Sequence, residues 1–169
     1  MKRFKRLFVI SVCAILCTMS GCNRVTWVVD VPNWELNASE IAKEQAGIIL
    51  DCLKTGNYKK LEEQFCENIS STHDLKAEIA EAIEFIDGNI IDDGNWSGMA
   101  SAGETVDNGE ITKLDINPSM YNVKTDTGKE YLIWFDSYLI YKKEPNNVGI
   151  IYIIIKNENE SITIGGSIW

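Results

Sequence analysis

Histidine is nearly absent, with His73 the only one in 169 residues. That excludes a histidine-dependent triad and any metal site built on several imidazoles. Prolines are also few, three in all, which leaves most of the chain free to form regular elements. Basic side chains are outnumbered, 16 against 25 acidic, for a net charge of −9. Residues 1–21 hold four of the basic residues and no acidic one, so the 148 residues that follow stand at −13. So acidic a chain lacks the basic footprint that phosphate backbones and anionic headgroups require. Nucleic acid is therefore excluded as a partner, and cationic or neutral partners fit better. No apolar run reaches the ~20 residues of a spanning helix, the longest being Leu7–Met19.

That run carries the strongest signal. Met1-Lys2-Arg3-Phe4-Lys5-Arg6 is a basic flank, Leu7–Met19 a short apolar core, and Met19-Ser20-Gly21-Cys22 follows. Basic flank, short core and small residues are the anatomy of a secretory signal. The last four residues resemble the lipobox of bacterial lipoproteins, in which the cysteine thiol accepts a diacylglyceryl group and becomes the new N-terminus. Small residues at Ser20 and Gly21 let the backbone lie extended in a peptidase groove. The resemblance implies a signal peptide over 1–21, lipidation of Cys22 and anchoring on the extracytoplasmic face of a bacterial cell membrane, since two or three acyl chains hold where one does not. An ordinary secretory signal with a chance cysteine, or a short membrane anchor, is the alternative.

Residues 22–36 read as a lipidated tether, in which Val25, Trp27, Val29 and Val31 alternate like a short strand. A single α+β domain is expected over 37–169, a length that supports one real core. Asn37-Ala38-Ser39-Glu40 predicts a capped helix start. Its stripe is Ile41, Ile48, Ile49, Cys52 and Leu53, with Gln45 as a polar exception, and Gly56 stops it. A second helix is predicted over Tyr58–Cys66 behind Asn57. A third follows Ser71-Thr72-His73-Asp74, carried by Leu75, Ile79, Ala82, Ile83 and Ile86 up to Gly88. Folding the first two helices about Gly56 leaves Cys52 and Cys66 beyond disulfide reach, so both are expected as free, buried thiols.

The second half changes period. Trp96–Val106 and Glu110–Ile116 flank Asp107-Asn108-Gly109, a strong hairpin signal. Pro118 interrupts the second strand before Met120–Lys124. Lys129–Lys142, Val148–Lys156 and Ser161–Ile168 complete an antiparallel sheet of about five to six strands. Three helices followed by such a sheet resemble the cone of the nuclear-transport-factor-2-like (cystatin-like) superfamily. The local cues are Leu53-Lys54-Thr55-Gly56-Asn57-Tyr58-Lys59-Lys60-Leu61-Glu62-Glu63-Gln64-Phe65, which looks like its first helical hairpin, and Val148-Gly149-Ile150-Ile151. With its lipobox, the whole chain is similar to an uncharacterised family of Gram-positive lipoproteins, a domain of unknown function. The resemblance implies a bent sheet wrapped around a helix, with a cavity at its open end. It implies no activity, because this fold hosts enzymes and binding modules alike.

No catalytic constellation stands out. Asp92-Asp93-Gly94-Asn95 lacks the alternating ligands and closing glutamate of a calcium loop, and Gly165-Gly166 is too short for a phosphate cradle. No cofactor and no metal are expected, and His73 reads as a helix-start residue. Along Lys129–Lys142 one alternating set is Tyr131, Ile133, Phe135, Ser137, Leu139 and Tyr141, the other Leu132, Trp134, Asp136, Tyr138 and Ile140. Both are largely apolar, so the strand is covered twice or exposes a greasy stripe. Ile133, Phe135 and Leu139 are assigned to the helix side. Trp134, Tyr138 and Tyr152, with Asp136, are assigned to the outer side as an interaction surface for a protein partner or a second copy. The plainer reading of these aromatics is cross-strand packing. The expected function is thus a non-catalytic, membrane-anchored ligand- or protein-binding module. The alternatives are a small-molecule enzyme, of isomerase or hydrolase type, with Asp136 or Asp115 as buried base, and an inhibitor or immunity-type protein for a cationic partner.

Overall fold

The computed structural model describes residues 34–97 and 102–166. The signal segment, the lipobox residues Met19, Ser20 and Gly21, Cys22 and the tether strand around Trp27 lie outside them.

Among the described residues four α-helices precede the main sheet. They are α1 (Trp34–Thr55), α2 (Tyr58–Glu62), α3 (Glu67–Thr72) and α4 (Leu75–Phe85). The predicted stripe of α1 is buried throughout, Gln45 included. The helix begins three residues before the expected cap, so Asn37 is an internal helical residue. Its end is as expected. Gly56, at φ +72°, bonds back to the Cys52 carbonyl at 2.8 Å, the left-handed stop that glycine supplies at least cost. The second helix is shorter than predicted, and Phe65 leaves it to bridge Ile150. The extra helix α3 was not anticipated. It is six residues long, with Cys66 before it and no side-chain cap, so neither a period nor a cap advertises it. Asp74 caps α4 by accepting from the Ala77 amide at 3.1 Å.

The sheet has eight antiparallel strands: β1 (Ile90–Asp92), β2 (Asn95–Ser97), β3 (Ala102–Asp107), β4 (Glu110–Ile116), β5 (Ser119–Thr125), β6 (Glu130–Tyr141), β7 (Gly149–Lys156) and β8 (Ser161–Gly165). The expected five to six strands become eight: the stretch read as one strand over Trp96–Val106 holds β2 and β3, and β1 is an extra strand on the edge of β5. Strands β4 and β5 lie end to end along one edge of β6, and the register Ile116 to Ser137 carries straight on to Ser119 and Trp134. Pro118 interrupts the strand without shifting it. Strands β1 and β2 pair with the free edge of β5, β3 with that of β4, and β7 and β8 follow on the other side of β6. Trp96 therefore belongs to β2, opposite Met120, and not to the β3–β4 hairpin. That hairpin turns at Asn108 and Gly109, both at positive φ as its twist demands.

Two apolar clusters fill the helix side. Ala38, Ile41 and Ala42 of α1 pack on Ile111, Leu114, Ile116 and Leu139. The rest of α1, with α2 to α4, packs on Ile133, Phe135, Ile153, Ile155 and Ile164. Truncating any of these fully buried aliphatics to alanine costs about 2–5 kcal/mol. Gly149 ties the two halves together. At φ +124° it lets Ile150 donate to the Gln64 carbonyl at 2.8 Å and accept from the Cys66 amide at 3.0 Å. Cys52 and Cys66 are buried and unbridged. Among the described residues no helix is long and apolar enough to cross a membrane.

Candidate functional site

Two bulges shape the face of β6 that points away from the helices. Leu114 opposes Ile140 while Asp115 opposes Tyr138, so Leu139 is an extra residue. Asp136 opposes Tyr152 while Ser137 opposes Ile150, so Ile151 is another. Each bulge inverts the alternation beyond it. This corrects the simple period-two assignment at two places. Tyr141 joins Tyr138 outside, its ring centroid 4.9 Å away, while Ile140 packs against the inner cluster. Ile150, set outside by alternation, is fully buried. Ile133, Phe135 and Leu139 are buried on the helix side, and Trp134, Tyr138 and Tyr152 sit half-buried opposite them.

Two hollows meet on this outer face and share Asp136 and Tyr152. One, of about 470 Å³, is walled by Lys113 and Asp115 of β4 and Tyr138 and Tyr141 of β6, with Glu144 at its end. The other, of about 290 Å³, runs over Ser119, Leu132 and Trp134. Together they form a trough with a carboxylate at its middle. A larger hollow, about 550 Å³, lies between turns at the far end of the sheet, where Lys129 and Lys156 balance Glu130 and Glu158. A fourth, about 330 Å³, lies between Tyr58 and α4 and is apolar apart from Asp74 and Lys76. The carboxylates of both, Glu130 and Glu158 in one and Asp74 in the other, are exposed, whereas Asp136 is half-buried.

Burial pushes the Asp136 carboxyl above the ordinary aspartate range; a hydrogen bond from the Tyr152 hydroxyl opposes this, and Asp115 nearby adds to it. Burial likewise raises the Tyr152 phenol, reinforced by its bond to Asp136. Lys113 is the one cation of the trough among the described residues. Its ammonium lies 3.9 Å from Asp115, 4.8 Å from the centre of the Tyr138 ring and 5.4 Å from that of Tyr141. Burial alone would lower its pKa, but the Tyr138 contact and Asp115 outweigh this and hold it above the ordinary lysine value. Gly103, opposite Asp115, makes room for that carboxylate, because a Cβ there would fall 2.7 Å from its Oδ1.

Polar groups support the trough from beneath. Gln45 of α1 donates through Nε2 to the Ser137 hydroxyl at 3.1 Å, in full burial. Asn147 donates to Glu144 at 2.6 Å and accepts from Asn68 at 2.5 Å, which fixes the carboxylate at the trough's end. Ser119 differs. Its hydroxyl is buried, borders the smaller hollow and has no hydrogen-bond partner among the described residues.

The other residues singled out by the sequence stand apart. His73 bonds Glu78 at 2.8 Å, and Glu78 accepts from the Gly165 amide at 2.7 Å, a clasp between α4 and β8. Asp92 caps its own turn by accepting from the Gly94 amide at 2.9 Å, and Asp93 pairs with Lys54. No group of three or more metal-ligating side chains forms among the described residues. Burial raises Cys52 to about 11, aided by Asp51 and Glu62, and burial raises Cys66 as well, so neither is a ready nucleophile. Sequence reasoning missed Lys113, Tyr141, Ser119 and Glu144, which reach the trough through bulges and pairings that leave no local trace.

The family described as a domain of unknown function, DUF5104, matches residues 48–160, from the middle of α1 to the turn before β8. The match covers well over half of the chain and takes in the whole trough, so the chain belongs to this family. No curated protein matches the chain.

Proposed function

We propose that this chain is a lipid-anchored, extracytoplasmic binding module whose working surface is the outer face of β6 and β7. The observation that carries the reading is the trough itself. A sheet face that only needed to meet water would be polar, yet here Trp134, Tyr138 and Tyr152 flank a desolvated carboxylate. Large aromatics beside a few convergent polar groups are the usual make-up of a binding surface. The membrane half of the reading rests on Met19-Ser20-Gly21-Cys22 behind a basic flank and a short apolar core. The nuclear-transport-factor-2-like kinship is part of the same proposal, supported by helices leading into an antiparallel sheet that packs on α1.

A thermal-shift screen of the full-length protein against cationic, neutral and anionic small molecules tests the surface. Ligands that raise the melting temperature should lose that effect in a Trp134→Ser/Tyr138→Ser double variant. Ligands that act equally on both proteins would overturn it. For the anchor, Cys22→Ala should release the protein from the membrane fraction or leave it unprocessed.

One observation favours a second reading, a small-molecule enzyme. Asp136 combines desolvation with a tyrosine hydroxyl, the environment that prepares a carboxylate as a general base. The trough is open and shallow, however, and holds no second group placed to stabilise developing charge except Lys113. Turnover lost in Asp136→Asn with binding retained would favour the enzyme.

A further inference from the structure

We infer that the trough is a receptor for an organic ammonium, a small amine whose charge rests on Asp136 between Tyr138 and Tyr152 and whose apolar body lies along Trp134 and Leu132. This deepens the binding-module reading above and rests on it.

Three observations lead to the amine. Charge is the first. Asp115, Asp136 and Glu144 border the trough against Lys113 alone, and Lys113 is already engaged by Asp115. An anion would meet two uncompensated carboxylates, and a neutral ligand would leave Asp136 desolvated beside it. An ammonium supplies the missing charge beside a half-buried carboxylate, where pairing is stronger than in open water.

The second is that the aromatic wall already holds an ammonium. Lys113 lies at cation–π distance from two tyrosine rings tilted 56° to each other. The wall is thus shaped for a cation, and the chain's own lysine uses part of it. An incoming amine competes with Lys113 for the Tyr138 face, so removing that charge should tighten binding.

The third is independent of both. Ser119 is buried, its hydroxyl has no partner among the described residues, and the residue borders the hollow where the ligand's body would lie. Buried hydroxyls are nearly always bonded. A ligand that moves the covering side chains as it seats, with a hydrogen-bonding substituent beyond Trp134, would satisfy it.

Titration calorimetry of the full-length protein in detergent micelles with three phenols of similar size decides this: tyramine, tyrosol and 4-hydroxyphenylacetate, which end in an ammonium, a hydroxyl and a carboxylate. Tyramine should bind, with the other two weaker by about tenfold or more. Asp136→Asn should erase that preference, Lys113→Met should strengthen tyramine binding, and Ser119→Ala should weaken it, each variant first shown by circular dichroism to be folded. Tyrosol binding as tightly as tyramine, a preference that survives Asp136→Asn, or no tyramine binding at all would overturn the inference. Tyrosol or 4-hydroxyphenylacetate binding that is lost in Trp134→Ser would sink the amine and leave the binding surface standing. Tyramine binding indifferent to both Asp136→Asn and Trp134→Ser would sink both.

Discussion

Asp136 and Tyr152 oppose each other across β6 and β7, and the phenol beside the carboxylate works against the rise that burial gives it. The pair stands where the two hollows meet, so its protonation bears on stability as well as on binding.

Burial raises Asp136 above its unfolded value, so between the two pKa values the folded chain holds more protons than the unfolded one. Stability from this group is therefore full below the usual aspartate range, near 3.9, and falls as pH rises through the folded pKa. Asp136→Asn should melt higher than wild type at pH 7, and the difference should vanish at about pH 3. Tyr152→Phe removes the interaction that opposes the rise, so a carboxyl titration followed by nuclear magnetic resonance should move further up. A downward shift would contradict the role assigned to the phenol.

Gln45 and Ser137 share a buried hydrogen bond beneath the trough, and the Gln45 Oε1 has no partner among the described residues. Ser137→Ala strands the amide and should cost about 1–3 kcal/mol. Gln45→Leu with Ser137→Ala removes both polar partners and should recover much of that loss in urea melts. Additive losses would show that the two side chains do not act as a pair.

Gly149 sits at φ +124°, where a Cβ would meet the Cys66 amide nitrogen at 2.8 Å and the Gln64 carbonyl at 2.9 Å. Those are backbone atoms and cannot step aside. Gly149→Ala should cost more than the ~1–3 kcal/mol of a strained backbone alone. Gly128→Ala, at φ +82° with open space around it, should stay within that range. Equal losses would mean that the contact with residues 64–66 is not fixed.

Much of the helix side was legible, for a physical reason. Ile41, Ile48, Ile49 and Leu53, or Ile133 and Phe135, must each find the core, and burial enforces a period that sequence displays. Gln45 was visible too, as the one polar residue in the α1 stripe. The trough was half legible. Trp134, Asp136 and Tyr138 follow from alternation, but the bulges at Leu139 and Ile151 fall on ordinary aliphatics, and nothing in their chemistry signals an inserted residue. Lys113 and Tyr141 become neighbours only through the first of these. Ser119 looks like any strand serine until its surroundings close over it. The helix start failed differently, because Asn37 has the chemistry of a cap while the chain is already helical from Trp34.

Cys52, raised to about 11 by burial and by Asp51 and Glu62, should be almost wholly protonated at pH 8, with roughly a thousandth as thiolate. Native protein should be alkylated by iodoacetamide about a hundredfold more slowly than denatured protein. Both Cys52 and Cys66 should react once unfolded, without reductant. Native and denatured rates that coincide would contradict the burial.

The outer face of β6 and β7 is proposed as the surface where this protein binds. Amide chemical-shift mapping of the full-length protein during titration with tyramine tests it most directly. Perturbations should gather on Leu132–Tyr141 and Ile150–Ile154, centred on Asp136 and Tyr152. Perturbations centred on the groove between Tyr58 and α4, or scattered over the charged surface with none at Asp136, would contradict it.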